Sequence, residues 1–588
     1  MPKQWRLAPH DPARIADLER AAGVPAVVAQ LLLARGIHEL AAVKQFLEPK
    51  LNGLRDPELL PGVPQAADLL YAALQAKRRI TIYGDYDADG MTATSILLRC
   101  LRLLDANVDF YVPHRIDEGY GLNSEAIAKL AEQGADVVVT VDCGICSVAE
   151  AKLAAELGLT LIVTDHHQMD DVLPAAAALV HPALPGSDYP FTGLCGAAVA
   201  FKLAWALCQR VSENKKVSER MRLFLLQAVG LAAIGTVADV VPLIDENRIL
   251  VRHGLQSLTA YPTVGMTALM RQIKLHEKHA LECEDLGFSI GPRLNATGRL
   301  GQAELGIELL TTDSEVRAEK LAQYIDELNL ERQSMERSIL RGAEKQARER
   351  FDPARDAALV LADHDWHPGI IGIVAGRIAD KFHRPAIVIA LDKLGVKPGI
   401  GSARSVPGFN LHAALAECGE LLASHGGHAA AAGLKVTEAN LPAFRRKFCE
   451  VAARELGGGS RLAELFVDAE TALHCLTQRT VQQIESLAPF GHGNLRPVLC
   501  ASNVRLAERP KRIGGAGRHL SMMFDQEGVK IRAVAFGGGD WEEELAAIDG
   551  ELSIAFRPVI NRYRGRSSVE IHLADWRLDA EATQGGTP

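Results

Sequence analysis

Between residues 80 and 167 one event recurs three times: a short apolar run stops, and an acidic residue stands at the stop. The first run, Ile80, Ile82 and Tyr83 around Thr81, predicts a buried strand. It breaks at Gly84 into three aspartates at alternate positions, Asp85, Asp87 and Asp89. Gly90 follows, and an apolar-periodic segment, 91–104, predicts a helix. The second run, VVVTV at 137–141, ends on Asp142, and the third, LIVT at 161–164, ends on Asp165-His166-His167. Strand patterns at 107–112 and 177–180 and helical patterns at 124–133 and 147–157 surround them. This alternation predicts a parallel, doubly wound sheet. In such sheets ligands gather outside the carboxyl ends of the strands, where all three acidic stops fall.

Three carboxylates at one strand end repel one another and take up protons unless a cation neutralises them. Hard divalent ions such as Mg²⁺ or Mn²⁺ meet that need. A lone DxD is more often a solvated acidic turn, and a lone histidine more often a satisfied core residue. Two adjacent histidines after an aspartate, at a third strand end of the same sheet, shift the balance towards a site. A fourth candidate is Asp239, a charge inside the apolar run TVADVV, where burial demands a partner. The plain alternative for it is a helix cap or turn ahead of Pro242.

The segments GDYDADG, VDCGI, TDHHQ and GTVADVVPL resemble, in order, the four successive motifs of the DHH phosphoesterase superfamily, TDHHQ carrying the signature itself. From about residue 50 nearly to the C-terminus the chain is similar to that superfamily's bacterial single-strand-specific exonucleases. The resemblance implies a site for two ions, Mn²⁺ or Mg²⁺, built from Asp87, Asp89, Asp142, His166 and Asp239, with Asp85 in or beside it. It gives His167 a catalytic role at the scissile phosphate, and Asp165 the task of holding a histidine in its working tautomer. Several branches carry a histidine just ahead of the aspartates, where this chain has Tyr83, so Asp85 or water is left to complete the first ion's shell.

Beyond residue 250 the pattern is mostly helical. The stretch 291–301 holds three glycines with Arg293, Asn295 and Arg299, and it is read as a polar loop suited to a phosphate backbone. Thr312 and Glu315 are read as a capping box opening a long charged helix that runs to about 351 and bridges two domains. A second α/β unit follows, with strands at 357–361 and 386–390. A glycine-rich helix runs from Trp366 and His367 to Arg377. Ser402 and Arg404 lie in a small-residue loop, and Gly426-Gly427-His428 precedes an alanine-rich helix. These segments resemble the DHH-associated domain, and the implied substrate contacts are Ser402, Arg404, His428, Arg377 and His367. After GGGS at 457–460 the chain turns into short β-patterned runs that predict a small barrel, and the resemblance favours an OB-fold. Lys511, Arg512, Arg518, Arg557, Arg562, Arg564 and Arg566, with Phe556 and Tyr563, are candidates for a single-strand groove.

The expected architecture is therefore α/β. A helical segment, 1–55, precedes a parallel-sheet DHH catalytic domain, 56–250. A helical connector, 251–350, leads to a second α/β DHH-associated domain, 351–456. A C-terminal β-barrel of OB-fold type, 461–577, ends in a tail, 578–588. The 588 residues suit several domains. A net charge of −9 argues against a polycation but leaves room for a local basic groove. The ten cysteines form no framework, and Cys143 and Cys146 lack the second pair a zinc site needs. With no leader-like segment and no run of 18 apolar residues, a cytoplasmic protein with no membrane partner is expected. The resemblance implies a 5′→3′ exonuclease on single-stranded DNA that releases 5′-mononucleotides in DNA repair and recombination. It further implies a monomer aided by a single-strand-binding protein and a helicase. The competing readings are a small-molecule phosphodiesterase and a non-catalytic scaffold. The C-terminal β domain speaks against the first, and the intact acid and histidine set against the second.

Overall fold

The strand-forming runs of residues 80–180 are apolar on both sides, which suits a sheet covered on both faces. In the computed structural model they form β1 (Ile80–Tyr83), β2 (Val108–Tyr111), β3 (Val137–Val141), β4 (Thr160–Thr164) and β5 (Ala178–Val180). The structure describes residues 3–115, 118–213, 216–350, 352, 356–457, 464–563 and 566–578. The tail 579–588, Arg564, positions 458–460 of the GGGS stretch, and the side chains of Tyr563 and Arg566 lie outside the described residues. The sheet is parallel throughout, in the order β2-β1-β3-β4-β5. Its connections reverse direction at β1, between β2 and β3, and such a switch point opens a crevice at the carboxyl edge.

Three helices tie that edge to the core. They are α1 (Ala88–Leu103), α2 (Gly196–Val211) and α3 (Glu219–Ala238). By length and composition α3 could cross a membrane. It packs here against α1 and α2, with Ala232, Ala233 and Ile234 fully buried.

The stretch 291–301, expected as a loop, is mostly the helix α4 (Gly291–Arg299), entered through a π-turn at Leu286–Ile290. Pro292 sits in its first turn, where a missing N–H costs nothing. A Cβ on Gly298 would stand 1.9 Å from the Tyr86 carbonyl oxygen, so this glycine serves close packing rather than a loop conformation. The long helix is α5 (Glu315–Arg350), 36 residues. Its cap differs from the expected box: Ser314 Oγ accepts from Arg317 N at 3.3 Å, and Thr312 Oγ1 accepts from Ser314 N at 3.2 Å. Glu315 is already the first helical residue, too early to fold back as a box requires.

The second sheet comprises β6 (Leu359–Asp363), β7 (Ala386–Ala390), β8 (Gly399–Arg404), β9 (Ser424–Gly427) and β10 (Ala431–Val436), in the order β9-β10-β8-β7-β6. The helix after His367 is α6 (Ile371–Phe382). Two expectations are corrected here. Ser402 and Arg404 stand on a strand, not in a loop, and the alanine-rich stretch after His428 is a strand, not a helix. The ladder decides both: Arg404 pairs with Ala431 and Ser402 with Gly433, and β10 alternates buried with exposed positions. Cross-strand pairing outweighs the helical propensity of alanine.

Residues 1–54, 242–252 and 462–588 form a compact unit of their own, so the N-terminal helices belong with the C-terminal β domain. Strand Gln4–Leu7 pairs in parallel with Glu464–Val467. The buried Arg248 donates to the Phe46, Leu487 and Ala488 carbonyls, each at 2.9 Å, and clamps the three chain segments together. The β domain contains β11 (Leu499–Leu506), β12 (Lys511–Ile513), β13 (His519–Gln526), β14 (Val529–Ala535), β15 (Leu552–Tyr563) and β16 (Arg566–Leu578). A ladder at Arg505–Asp525 and Leu506–Phe524 closes β11-β15-β16-β14-β13 into a ring with a parallel β14–β16 pair, an OB-type barrel. Phe556 is corrected from groove to core, because its side chain fills the barrel interior with Phe524 and Leu552. Phe536 is an exposed aromatic of the barrel, and its ring contacts those of His519 and His572 edge-on at 5.4 and 4.9 Å.

Candidate active site

β1 points its last residue, Tyr83, into the core, where the hydroxyl donates to Gly121 O at 3.0 Å. The turn that follows is held by its own acids. Asp87 caps α1, its Oδ1 accepting from Asp89 N at 2.9 Å and Gly90 N at 3.0 Å. Asp89 lies against the N-terminus of α2 and accepts from Gly196 N at 2.6 Å and Ala197 N at 2.9 Å. Partial positive charge at a helix N-terminus suits that carboxylate. Close approach requires glycine on both flanking helices. A Cβ on Gly196 would stand 2.5 Å from Asp142 Oδ1, and one on Gly235 2.2 Å from Asp89 Oδ1. Asp142 follows β3 with a left-handed φ of 64°, which aspartate tolerates better than most residues. Asp239 caps the C-terminus of α3, and His166 follows β4.

The structure thus brings all six expected ligand residues together. Asp85, Asp87 and Asp142 offer one group of three ligand atoms, and Asp89, His166 and Asp239 another. Asp142 also groups with His166 and His167, so it borders both. The donor set fits hard divalent ions. Burial together with neighbouring carboxylates raises the pKa of Asp85, Asp87 and Asp142, and lifts Asp239 to about 8. Among the described residues, Asp85 Oδ1, Asp142 Oδ1 and His166 Nε2 are buried without a hydrogen-bond partner. His166 Nε2 stands 3.1 Å from Asp142 Oδ1, yet burial lowers its pKa to about 4. The ring is therefore neutral at pH 7, and the close approach is not an ion pair.

His167 differs from its neighbour. Its Nδ1 meets Asp165 Oδ1 at 2.7 Å, and the same oxygen accepts from His166 N and His167 N. Asp165 Oδ2 accepts from Ile145 N at 2.9 Å. Burial would lower the His167 pKa, but the bonded Asp165 carboxylate lifts it to about 9. Burial would raise that of Asp165, but His167 holds it at about 2. The pair is a charged dyad, and Tyr120 Oη, 3.1 Å from His167 Nδ1, lies beside it.

Cations face the acids. Arg299 is partly buried; burial first, then Arg115, Arg332 and Arg404, lowers its pKa to about 10. Arg404 is lowered by burial and by Arg115. The Arg115 guanidinium lies 4.7 Å over the Tyr86 ring. Such a concentration of positive charge beside the acids favours a phosphate-bearing ligand. Ser402 Oγ lies within 3.4 Å of Arg404 Nη1. Arg299 donates to Gly369 O at 3.1 Å, linking α4 to the turn in which His367 Nδ1 accepts from Gly369 N. Asn295 accepts from Ala88 N at 2.8 Å and so steadies the acidic turn. The remaining expected contacts are Arg293, Arg377 and His428. Arg293 is paired with Asp326 and Arg377 with Glu336, both on α5, and His428 is exposed. Arg115, Tyr120 and the α2 N-terminus escaped the sequence reading, since none lies in a run with a distinctive pattern.

An acid and histidine cluster at the switch point of a parallel sheet, faced by arginines from the segment after β2, from α4 and from a second α/β domain, defines a phosphoesterase of the DHH class. The DHH family, N-terminal domain, matches residues 79–236 and the DHHA1 domain residues 356–454. The RecJ OB domain matches residues 467–575. The single-stranded-DNA-specific exonuclease RecJ of Bacillus subtilis is 37% identical over 98% of this chain and 71% of its own length. The protein of the same name in Escherichia coli is 34% identical over 97% and 99%. The crystal structure of RecJ from Thermus thermophilus in complex with Mn²⁺ superposes with a TM-score of 0.82 at 33% identity, covering 98% of this chain and 79% of that one. The chain belongs to the RecJ family.

Proposed function

We propose that this protein is a metal-dependent exonuclease that degrades single-stranded DNA from the 5′ end and releases 5′-mononucleotides. The observation that carries the reading is the pair of ligand groups bordered by Asp142, with neutral His166 completing the second. Divalent ions held there supply Lewis acidity towards a phosphodiester and a water nucleophile usable at neutral pH. The chain's own residues do the rest. The Asp165–His167 dyad presents a cation to the charge that develops on the phosphoryl oxygens. Arg299, Arg404 and Ser402 hold neighbouring phosphates, and Arg115 does so from the segment that follows β2. The similarity to proteins named as single-strand-specific exonucleases supports the substrate, and the exposed Phe536 with its two histidines suits base stacking on the barrel. The protein is proposed to act as a monomer in repair and recombination, with a helicase and a single-strand-binding protein supplying unpaired strands.

Single-stranded DNA labelled at one end or the other tests this. With Mn²⁺ or Mg²⁺ the 5′ label should leave at once as a mononucleotide while the 3′-labelled strand shortens gradually, and EDTA should stop both. Release of the 3′ label first would reverse the polarity. Tight binding without degradation would replace the enzyme with a scaffold.

A further inference from the structure

Helices α1 and α3 each bring a metal-ligand candidate to the catalytic edge, Asp89 from the start of α1 and Asp239 from the end of α3. They run antiparallel, so their other ends also meet, at a cavity of about 320 Å³. Arg99 on α1 lies ten positions from Asp89, roughly 15 Å along the helix. The cavity carries Arg99, Arg102 and Arg220 against one carboxylate, Asp313, beside an apolar wall from Leu223 and Phe224.

The charges there are incompletely paired. Arg99 Nη2 donates to Gln227 Oε1 at 2.7 Å, but among the described residues its buried Nε has no acceptor. Burial disfavours the Arg99 cation, Asp313 offsets part of that cost, and Arg102 adds to it. Among the described residues neither Arg102 nor Arg220 forms an ion pair. A buried guanidinium edge without a partner costs free energy that an anion would recover. Arginine forks match phosphate oxygens bidentately. The volume lies at the lower end of the roughly 300–1,000 Å³ usual for small-molecule sites. Leu223, 46% exposed, offers a surface against which a flat ring can lie.

We propose that this cavity is a binding site for a phosphate monoester, with the phosphate on Arg99, Arg102 and Arg220 and the remainder of the ligand against Leu223 and Phe224. A nucleoside monophosphate and free phosphate share the required chemistry. The site is independent of the reaction assigned to the catalytic edge.

Isothermal titration of the full-length protein in EDTA, in an Arg404→Ala background that weakens phosphate binding at the catalytic edge, tests it. The probes are dAMP, inorganic phosphate and deoxyadenosine. Adding Arg102→Gln with Arg220→Gln should weaken dAMP and phosphate roughly tenfold or more, the loss of charge-assisted hydrogen bonds. Adding Asp313→Asn instead should tighten both. Single-strand cleavage by the Arg102→Gln/Arg220→Gln protein, with Arg404 intact, should equal that of wild type, showing that the fold survives. Tighter binding of dAMP than of phosphate identifies the nucleotide as ligand; equal binding identifies free phosphate. Titrations unchanged in both variants, or deoxyadenosine binding as tightly as dAMP, would overturn the proposal.

Discussion

Replacing Asp142 with alanine removes the carboxylate that borders both ligand groups. Cleavage should fall roughly 10³-fold or more, the scale of losing metal-assisted charge stabilisation, while single-strand binding measured in parallel persists. Asp239 sets a pH dependence. Its pKa in the metal-free protein is about 8, so below that pH an ion must displace a proton. Mn²⁺ affinity measured by titration should therefore climb between pH 6 and 8, with protons released on binding at pH 7. The same shift acts on stability: a carboxylate whose folded pKa is raised favours the folded state at low pH, and that contribution is lost as pH rises towards 8. The metal-free site should thus weaken the fold as pH rises from 5 to 8, and added metal should raise the melting temperature most at pH 8. The aspartates and histidines at the strand ends were legible in the sequence because each group follows an apolar run that ends abruptly, and Asp239 because it is a charge inside such a run. Gly196 and Gly235 were not, because what they make room for, the carboxylates of Asp142 and Asp89, comes from elsewhere in the chain.

The strands of the catalytic sheet could be read from their own side chains, whereas α4, β8 and β10 could not. Glycine-rich and alanine-rich segments take their form from what they pack against, and local propensity says little when that partner is remote. The contact between α4 and the acidic turn gives a test. Gly298→Val should push α4 away from Tyr86, strain the bond from Ala88 N to Asn295, and lower kcat/KM at least tenfold. Circular dichroism should remain close to that of wild type. Activity close to wild type would mean that α4 does not steady the turn.

Over the whole molecule, the three family matches correspond to the two sheets and the barrel, and all three had a sequence signature. What the sequence did not disclose is that residues 1–54 share a core with residues 462–588. Contacts between segments so distant leave no periodic trace. Val28, Leu31 and Leu32 pack in one cluster with Leu499, Phe524 and Phe556. Deleting residues 1–54 should therefore make the barrel sensitive to limited proteolysis between 464 and 578 and weaken binding of long strands more than cleavage of short oligonucleotides. A barrel as resistant as in the full chain would show that it needs no N-terminal partner.

That shared core also bears on biosynthesis. The first 54 residues leave the ribosome well before the strands that cover them, with roughly 400 residues between, or about 20–80 s at ordinary elongation rates. Through that interval the apolar side of that nascent segment is solvent-facing and available to chaperones, because its cover is made much later.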